Sequence, residues 1–173
     1  LTTSRGEVVV ELFQDDAPTS VANFVYLADA RFYDGLAFHR VVPFFMAQTG
    51  DPYSRGEPAP GVAEDERVGR GGPGYAIPTE AGKRRPFRGV LAMARRARDT
   101  EGSQFFLTTG TSAHLEGEYT IFGRVVEGQD VVDRIVRGDR LIKVEVLRRR
   151  PGPYHPTTVA GTPAPRPAAA ASR

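Results

Sequence analysis

The sequence predicts a mainly β domain, a closed antiparallel barrel capped by two α-helices. Two observations carry this reading. Short β-branched or aromatic runs (Glu7–Phe13, Gly89–Ala94, Ser103–Thr109, Thr120–Val126 and Leu141–Leu147) are separated by glycine-bearing turns, the pattern of a barrel or sandwich. Only two stretches carry a helical period, and the run of strands between them argues against βαβ alternation. Among all-β solutions a closed barrel leaves no edge strand unpaired, which favours closure.

EVVVELF, Glu7 to Phe13, is a strand that turns Val8, Val10 and Leu12 toward the core. Asp15, Asp16 and Pro18 form a helix-start signal. Val21, Phe24, Val25 and Ala28 then recur at i, i+3, i+4 and i+7, one apolar stripe on a helix over Pro18 to Ala30. Asp34-Gly35 is a turn that delivers the chain into Phe38 to Val42. Glycine, proline and charges dominate from Pro52 to Pro86, which predicts a long surface loop, functional or mobile. Within it GRGGPG, Gly69 to Gly74, resembles a phosphate loop only superficially. No Lys-Ser/Thr comes after it, Pro73 interrupts it, and a glycine-rich turn is the better reading. Gln104 and Phe106 share one face of the Ser103–Thr109 strand, Phe105 and Leu107 the other. A second helix runs from Asp130 to Arg137 with Val131, Val132, Ile135 and Val136 on one side and Gly138 as its C-cap. The last strand turns Ile142, Val144 and Val146 inward against Lys143 and Glu145. Residues 151–173, rich in Ala, Pro and Thr, are expected to form a disordered tail behind a single domain over residues 1–150.

Composition narrows the function. The 173 residues suit one domain with a real core, and 40% of them are hydrophobic. Lys plus Arg number 23 against 21 Asp plus Glu, a net charge of +2 that gives no electrostatic reason to expect nucleic acid. With no cysteine, disulfides, thiolate metal sites and a cysteine nucleophile are excluded. His39, His114 and His155 lack metal-ligand spacing, so no metal or cofactor is expected. Ser103 and Ser112 have no His-Asp partnership, which disfavours a serine hydrolase. No apolar run is long enough to span a bilayer, and no oligomer is called for, so a soluble monomer is expected. The first residue is Leu1, which leaves the compartment open between cytoplasmic and exported.

The stretch FHRVVPFFMAQTGD, Phe38 to Asp51, concentrates the chemistry. It sets one cation, Arg40, among large apolar side chains with the amide of Gln48 close behind. Alternation puts Phe38 and Arg40 on one face, and Met46 with Gln48 on one face after the Pro43 corner. A permanently charged guanidinium over an apolar floor beside a neutral amide suits a neutral peptide ligand. Alone, Arg40 reads as a surface ion-pair partner, and Phe45 and Phe106 read as core. His39 is expected to point away from Arg40 as a structural residue.

Four signatures in order, APTSVANF from Ala17, FHRVVPFFMAQTGD from Phe38, GVLAMA with GSQFFLTT from Gly102, and FGRVVEGQDVVD from Phe122, make the chain resemble the cyclophilins, peptidyl-prolyl cis-trans isomerases. The resemblance spans about Ser4 to Leu147. It implies an eight-stranded antiparallel barrel with a helix over each open end. By position it implies that Arg40 is the catalytic arginine, aided by Phe45 and Gln48. Phe45, Met46, Phe106 and Leu115 become the proline pocket. Ala94, Arg95 and Gln104 line the neighbouring groove, and His114 and Tyr119 complete the substrate-binding set. The implied partners are proline-containing peptides and unfolded or partly folded proteins, with a non-catalytic proline-peptide module as the alternative. Four residues depart from the family pattern. Phe44 stands where glycine is usual, so the Pro43 turn is not expected to use a positive φ. Arg95 replaces a common asparagine, which implies a preference for acidic residues; His114 and Tyr119 stand where tryptophan and histidine are common.

Overall fold

The computed structural model describes residues 1–56, 66–82 and 84–165. Glu64 and Asp65, which the sequence reads as solvated loop charges, and the last eight residues of the expected tail lie outside them.

Among the described residues ten strands form two antiparallel sheets and two α-helices pack against them. The strands are β1 (Thr2–Thr3), β2 (Gly6–Glu7), β3 (Val9–Leu12), β4 (Leu36–Ala37), β5 (Arg40–Val42), β6 (Met46–Thr49), β7 (Val90–Met93), β8 (Phe105–Thr108), β9 (Ile121–Glu127) and β10 (Arg140–Lys143). One sheet runs β2-β1-β10-β4, the other β3-β9-β7-β8-β6-β5. The count therefore differs from eight strands in one sheet. Two interruptions produce the difference: Val8 alone separates β2 from β3, and Phe38 with His39 separates β4 from β5.

The second interruption matters for the site. Phe38 is fully buried in the inner core, whereas Arg40 is exposed on the outer side of the six-stranded sheet. The two do not share a face. Phe38 leaves the ladder to exchange backbone hydrogen bonds with Gly138 and Asp139, and an irregular residue in a strand reverses the parity of the residues after it.

The inner core gathers Phe24, Tyr33, Phe38, Phe105, Leu107 and Phe122 with the apolar stripe of helix α1 (Pro18–Asp29). Phe105 meets the rings of Phe24 and Tyr33 edge-on at 5.3 and 5.5 Å, a favourable aromatic geometry. The start of α1 is not capped by Asp15 or Asp16. The Glu80 carboxylate accepts from Thr19 N at 2.9 Å and Ser20 N at 2.8 Å, so the negative charge at this helix N-terminus comes from a distant loop. Asp16 and Asp15 instead pair with Arg84 and Arg150.

Helix α2 (Gln129–Asp133) is shorter than its apolar pattern predicts. Val131, Val132 and Ile135 are buried, but Val136 is exposed because the helix has ended before it. In the closing strand Leu141 faces inward and Ile142 outward, the reverse of the expected phase; the chain leaves β10 after Lys143, and Val144 turns back in. The described part of the C-terminal segment is not detached. Just before it Arg149 and Arg150 pair with Asp29 and Asp15, and within it Pro156 is buried and Val159 N donates to Ala76 O at 2.9 Å.

The Pro43 turn does use a positive φ. Phe45 N donates to Val42 O at 3.1 Å, with Pro43 and Phe44 at the two central positions and Phe44 at φ 59°. That is the backbone of a type II turn, whose third residue favours glycine or asparagine. A left-handed phenylalanine is strained by about 1 kcal/mol, and with 92% of its surface exposed it recovers little by packing. Phe44→Asn is therefore expected to raise the unfolding free energy by about 0.5–1 kcal/mol; a lower urea midpoint would contradict this.

Candidate active site

Strands β5, β6, β8 and β7 lie side by side, and their register decides the site. Arg40 stands opposite Gln48, Gln48 opposite Phe106, and Phe106 opposite Ala92. Residues directly opposite in antiparallel strands share a face. A cation, an amide and an aromatic ring therefore form one row on the outer face, while Ala47, Leu107 and Leu91 form the inner row. On the outer face Met46, Val90, Ala92, Phe106, Leu115 and Ile121 make a second apolar cluster, with Phe45 and Tyr119 packed at its rim.

Above this cluster lies a cleft of about 910 Å³. Arg40, Phe45, Met46, Gln48, Ala94, Arg95, Phe106, His114, Leu115 and Tyr119 all line it. Gln104 stands behind the wall and accepts from Gln48 Nε2 at 2.8 Å. The floor is dry: Met46, Leu115 and Phe106 are buried. Phe45 is half-buried, its ring centroid 6.4 Å from that of Phe106 and 5.2 Å from that of His114. Tyr119 meets Phe106 edge-on at 5.9 Å. Arg40 itself is exposed at the mouth, with its guanidinium 3.5 Å from Gln48 Oε1.

Arg95 does not offer a free charge. Its side chain is only 12% exposed, its Nη2 donates to Glu118 at 2.9 Å, and its guanidinium lies 5.0 Å from the centre of the Tyr119 ring. His39, expected to face away from Arg40, lines the same cleft. Val41, Val68, Gly69, Glu66 and Arg137 also line it and were not anticipated. The loop residues among them carry no periodic signal that sequence reasoning can use.

Glycines in the loop after β6 cradle an anion after all, but an internal one. Gly69 N and Gly71 N donate to Asp51 Oδ2 at 2.5 and 2.9 Å. A side chain at Gly71 would place its Cβ 2.3 Å from Asp51 Oδ1, so only glycine admits this approach.

Behind Arg95 sits Glu101, fully buried. Burial pushes its carboxyl up to about 7, against the opposing effects of the Thr120 hydroxyl, the Arg95 charge and Thr79. The Thr120 hydroxyl lies 2.9 Å from each carboxylate oxygen and accepts from Glu80 N at 2.8 Å. This links the cleft wall to the cap of α1.

One family model, that of the cyclophilin type peptidyl-prolyl cis-trans isomerase/CLD, matches residues 1–151. The chain belongs to this family. It is 40% identical over 149 residues to a peptidyl-prolyl cis-trans isomerase of Synechococcus elongatus, covering 85% of this chain and 94% of that protein. It is 44% identical over 141 residues to one of Helicobacter pylori, covering 79% and 78%. Among solved structures it resembles a Cryptosporidium parvum cyclophilin type isomerase crystallised in the presence of the dipeptide Ala-Pro, with a TM-score of 0.67 and 29% identity over 78% of this chain and 83% of that one. The chain is thus a cyclophilin-type peptidyl-prolyl cis-trans isomerase. Among the described residues of this cyclophilin no helix is long and apolar enough to cross a membrane.

The Glu101 carboxyl sets a pH dependence. Its folded value lies above its unfolded one, so its stabilising contribution is complete below about 4.5 and is lost as pH rises to about 7. Over that window unfolding free energy should fall by up to about 1.4 kcal/mol per pH unit relative to a Glu101→Gln variant. Urea unfolding of both proteins from pH 4 to 8 measures it, and parallel curves would refute the assignment.

Proposed function

We propose that the cyclophilin domain accelerates X–Pro isomerisation by holding the proline ring on the Phe45, Met46, Phe106 and Leu115 surface while Arg40 stabilises the twisted amide. The observation that carries this reading is the cross-strand row Arg40, Gln48, Phe106 on one sheet face. An uncatalysed X–Pro bond rotates behind a barrier of about 20 kcal/mol, most of it lost amide resonance. At the twisted geometry the proline nitrogen becomes pyramidal and regains a lone pair. That lone pair accepts a hydrogen bond from a guanidinium; the planar amide nitrogen does not. Arg40 therefore binds the transition state more strongly than the substrate, the condition for rate acceleration. A gain on the order of 10⁵-fold requires about 7 kcal/mol.

The pocket supplies the other half. A ring clamped on a buried apolar floor cannot follow the rotation, so the preceding carbonyl side of the bond must swing. Gln48 sits between Arg40 and the floor, within reach of a peptide backbone laid along the cleft. The Ala-Pro dipeptide used with the Cryptosporidium relative supports a proline-containing ligand here. Substrates on this reading are proline peptides and partly folded chains, taken by a monomer. The same reading treats β2 with β3, and β4 with β5, as single strands, which turns the two sheets into one eight-stranded barrel; the absence of a turn at Val8 and at Phe38–His39 supports it.

In a protease-coupled assay with a prolyl tetrapeptide, Arg40→Ala is expected to lower kcat/KM by about 100-fold or more with an unchanged circular dichroism spectrum. Turnover close to wild type in that variant would defeat the mechanism.

A further inference from the structure

Asp51 ends the stretch that carries Arg40, and it is fully buried. A buried carboxylate is costly unless donors take up its lone pairs. Four do so: Tyr53 N at 2.8 Å on Oδ1, and Gly69 N at 2.5 Å, Gly71 N at 2.9 Å and Gln104 Nε2 at 3.2 Å on Oδ2. Every partner donates, so the carboxylate acts here as an acceptor only.

An acceptor-only anchor imposes a direction on the amides beside it. The Gln104 Nε2 group faces two acceptors, Asp51 Oδ2 and Gly71 O at 2.8 Å. Reversing the amide would set its oxygen against both. The amide orientation is thus dictated by its partners. Gln104 must then turn its Oε1 toward Gln48, which answers with Nε2 at 2.8 Å. Gln48 in turn has only its Oε1 left to offer Arg40, at 3.5 Å from Nη1. Gly71 is itself held to Asp51 through its N–H, so both acceptors of the Gln104 amide lie at this carboxylate. Without this anchor, Gln48 could present its own N–H groups to the guanidinium, and donor would face donor.

We propose that Asp51 is a positioning residue of this isomerase: through Gln104 and Gln48 it fixes which atom meets Arg40, and so where the guanidinium stands when the prolyl amide twists. This role rests on the proposed mechanism, in which Arg40 is the group that acts on the substrate. Asp51 touches no substrate. Its influence runs along three polar contacts whose dipoles all point the same way, from carboxylate to cation.

The test measures kcat and KM separately, by exchange NMR on an Ala-Pro-containing tetrapeptide, for wild type, Asp51→Asn, Arg40→Ala and the double variant. Asp51→Asn is expected to lower kcat by roughly tenfold, as misplacement of a catalytic group does, with KM within about twofold. In the Arg40→Ala background the same substitution should cost less than about twofold, since the group it positions is gone. Equal losses in both backgrounds, or a loss confined to KM, would overturn the proposal and mark Asp51 as structural only. Should Asp51→Asn fail to fold, Gln104→Met decides: it breaks the middle link while leaving the three backbone donors on Asp51. Wild-type kcat in Gln104→Met would overturn the relay, whereas full activity in Arg40→Ala would instead remove the mechanism beneath it.

Discussion

Everything in this cyclophilin depends on a sheet that is apolar on both faces. Alternate residues of β6, β7 and β8 point into the domain core, and the residues between them make a second dry surface outside. Ordinary antiparallel sheets pair one buried face with one wet face. Here Phe105 and Leu107 anchor the interior while Phe106, one position away, forms the floor of the cleft. Because side-chain parity has a period of two, a slip of one residue would exchange core and site completely. The packing that stabilises the fold therefore also fixes the site, and no flexible loop is needed to bring Gln48 beside Phe106.

The arginine is placed by an exception to that regularity. Strict alternation from Phe38 would send Arg40 into the core, where an unpaired guanidinium would be heavily penalised. The irregularity at Phe38 and His39 resolves the conflict by letting both large side chains be buried and Arg40 emerge outside. At the other end of the hairpin Phe44 bears a second local strain. Two irregularities thus bracket the three residues of β5.

Much of this was legible in the sequence. The helix expected over Pro18 to Ala30 and the opposed faces of the Ser103–Thr109 strand rest on periodic patterns, and Arg40, Phe45, Met46, Gln48, Ala94, Gln104 and Phe106 lie in contiguous motifs, whereas Arg95, His114, Leu115 and Tyr119 were reached only through the family resemblance. The features that escaped were non-local or irregular. Nothing near Pro18 shows that Glu80 caps its helix. Nothing in GRGGPG shows that its N–H groups enclose Asp51 instead of a phosphate. Arg95 looked like a free cation because Glu118 is distant in sequence, and the phase of the closing strand was misread because Leu141 and Val144 are three positions apart. Composition gives the segment after Arg150 no packing signal, although within its described part Pro156 is buried and Val159 N donates to Ala76 O.

The central claim is that Arg40 acts on the twisted amide and hardly at all on the planar one. Exchange NMR at saturating prolyl peptide separates the two, because it gives the cis-trans rate of the bound peptide alongside its affinity. Comparing wild type with Arg40→Lys, which keeps the charge but not the planar fork, the account predicts a bound-state rate at least about tenfold slower with peptide affinity within about twofold. An unchanged bound-state rate accompanied by weakened affinity would contradict it, and would make Arg40 a ligand-binding residue instead.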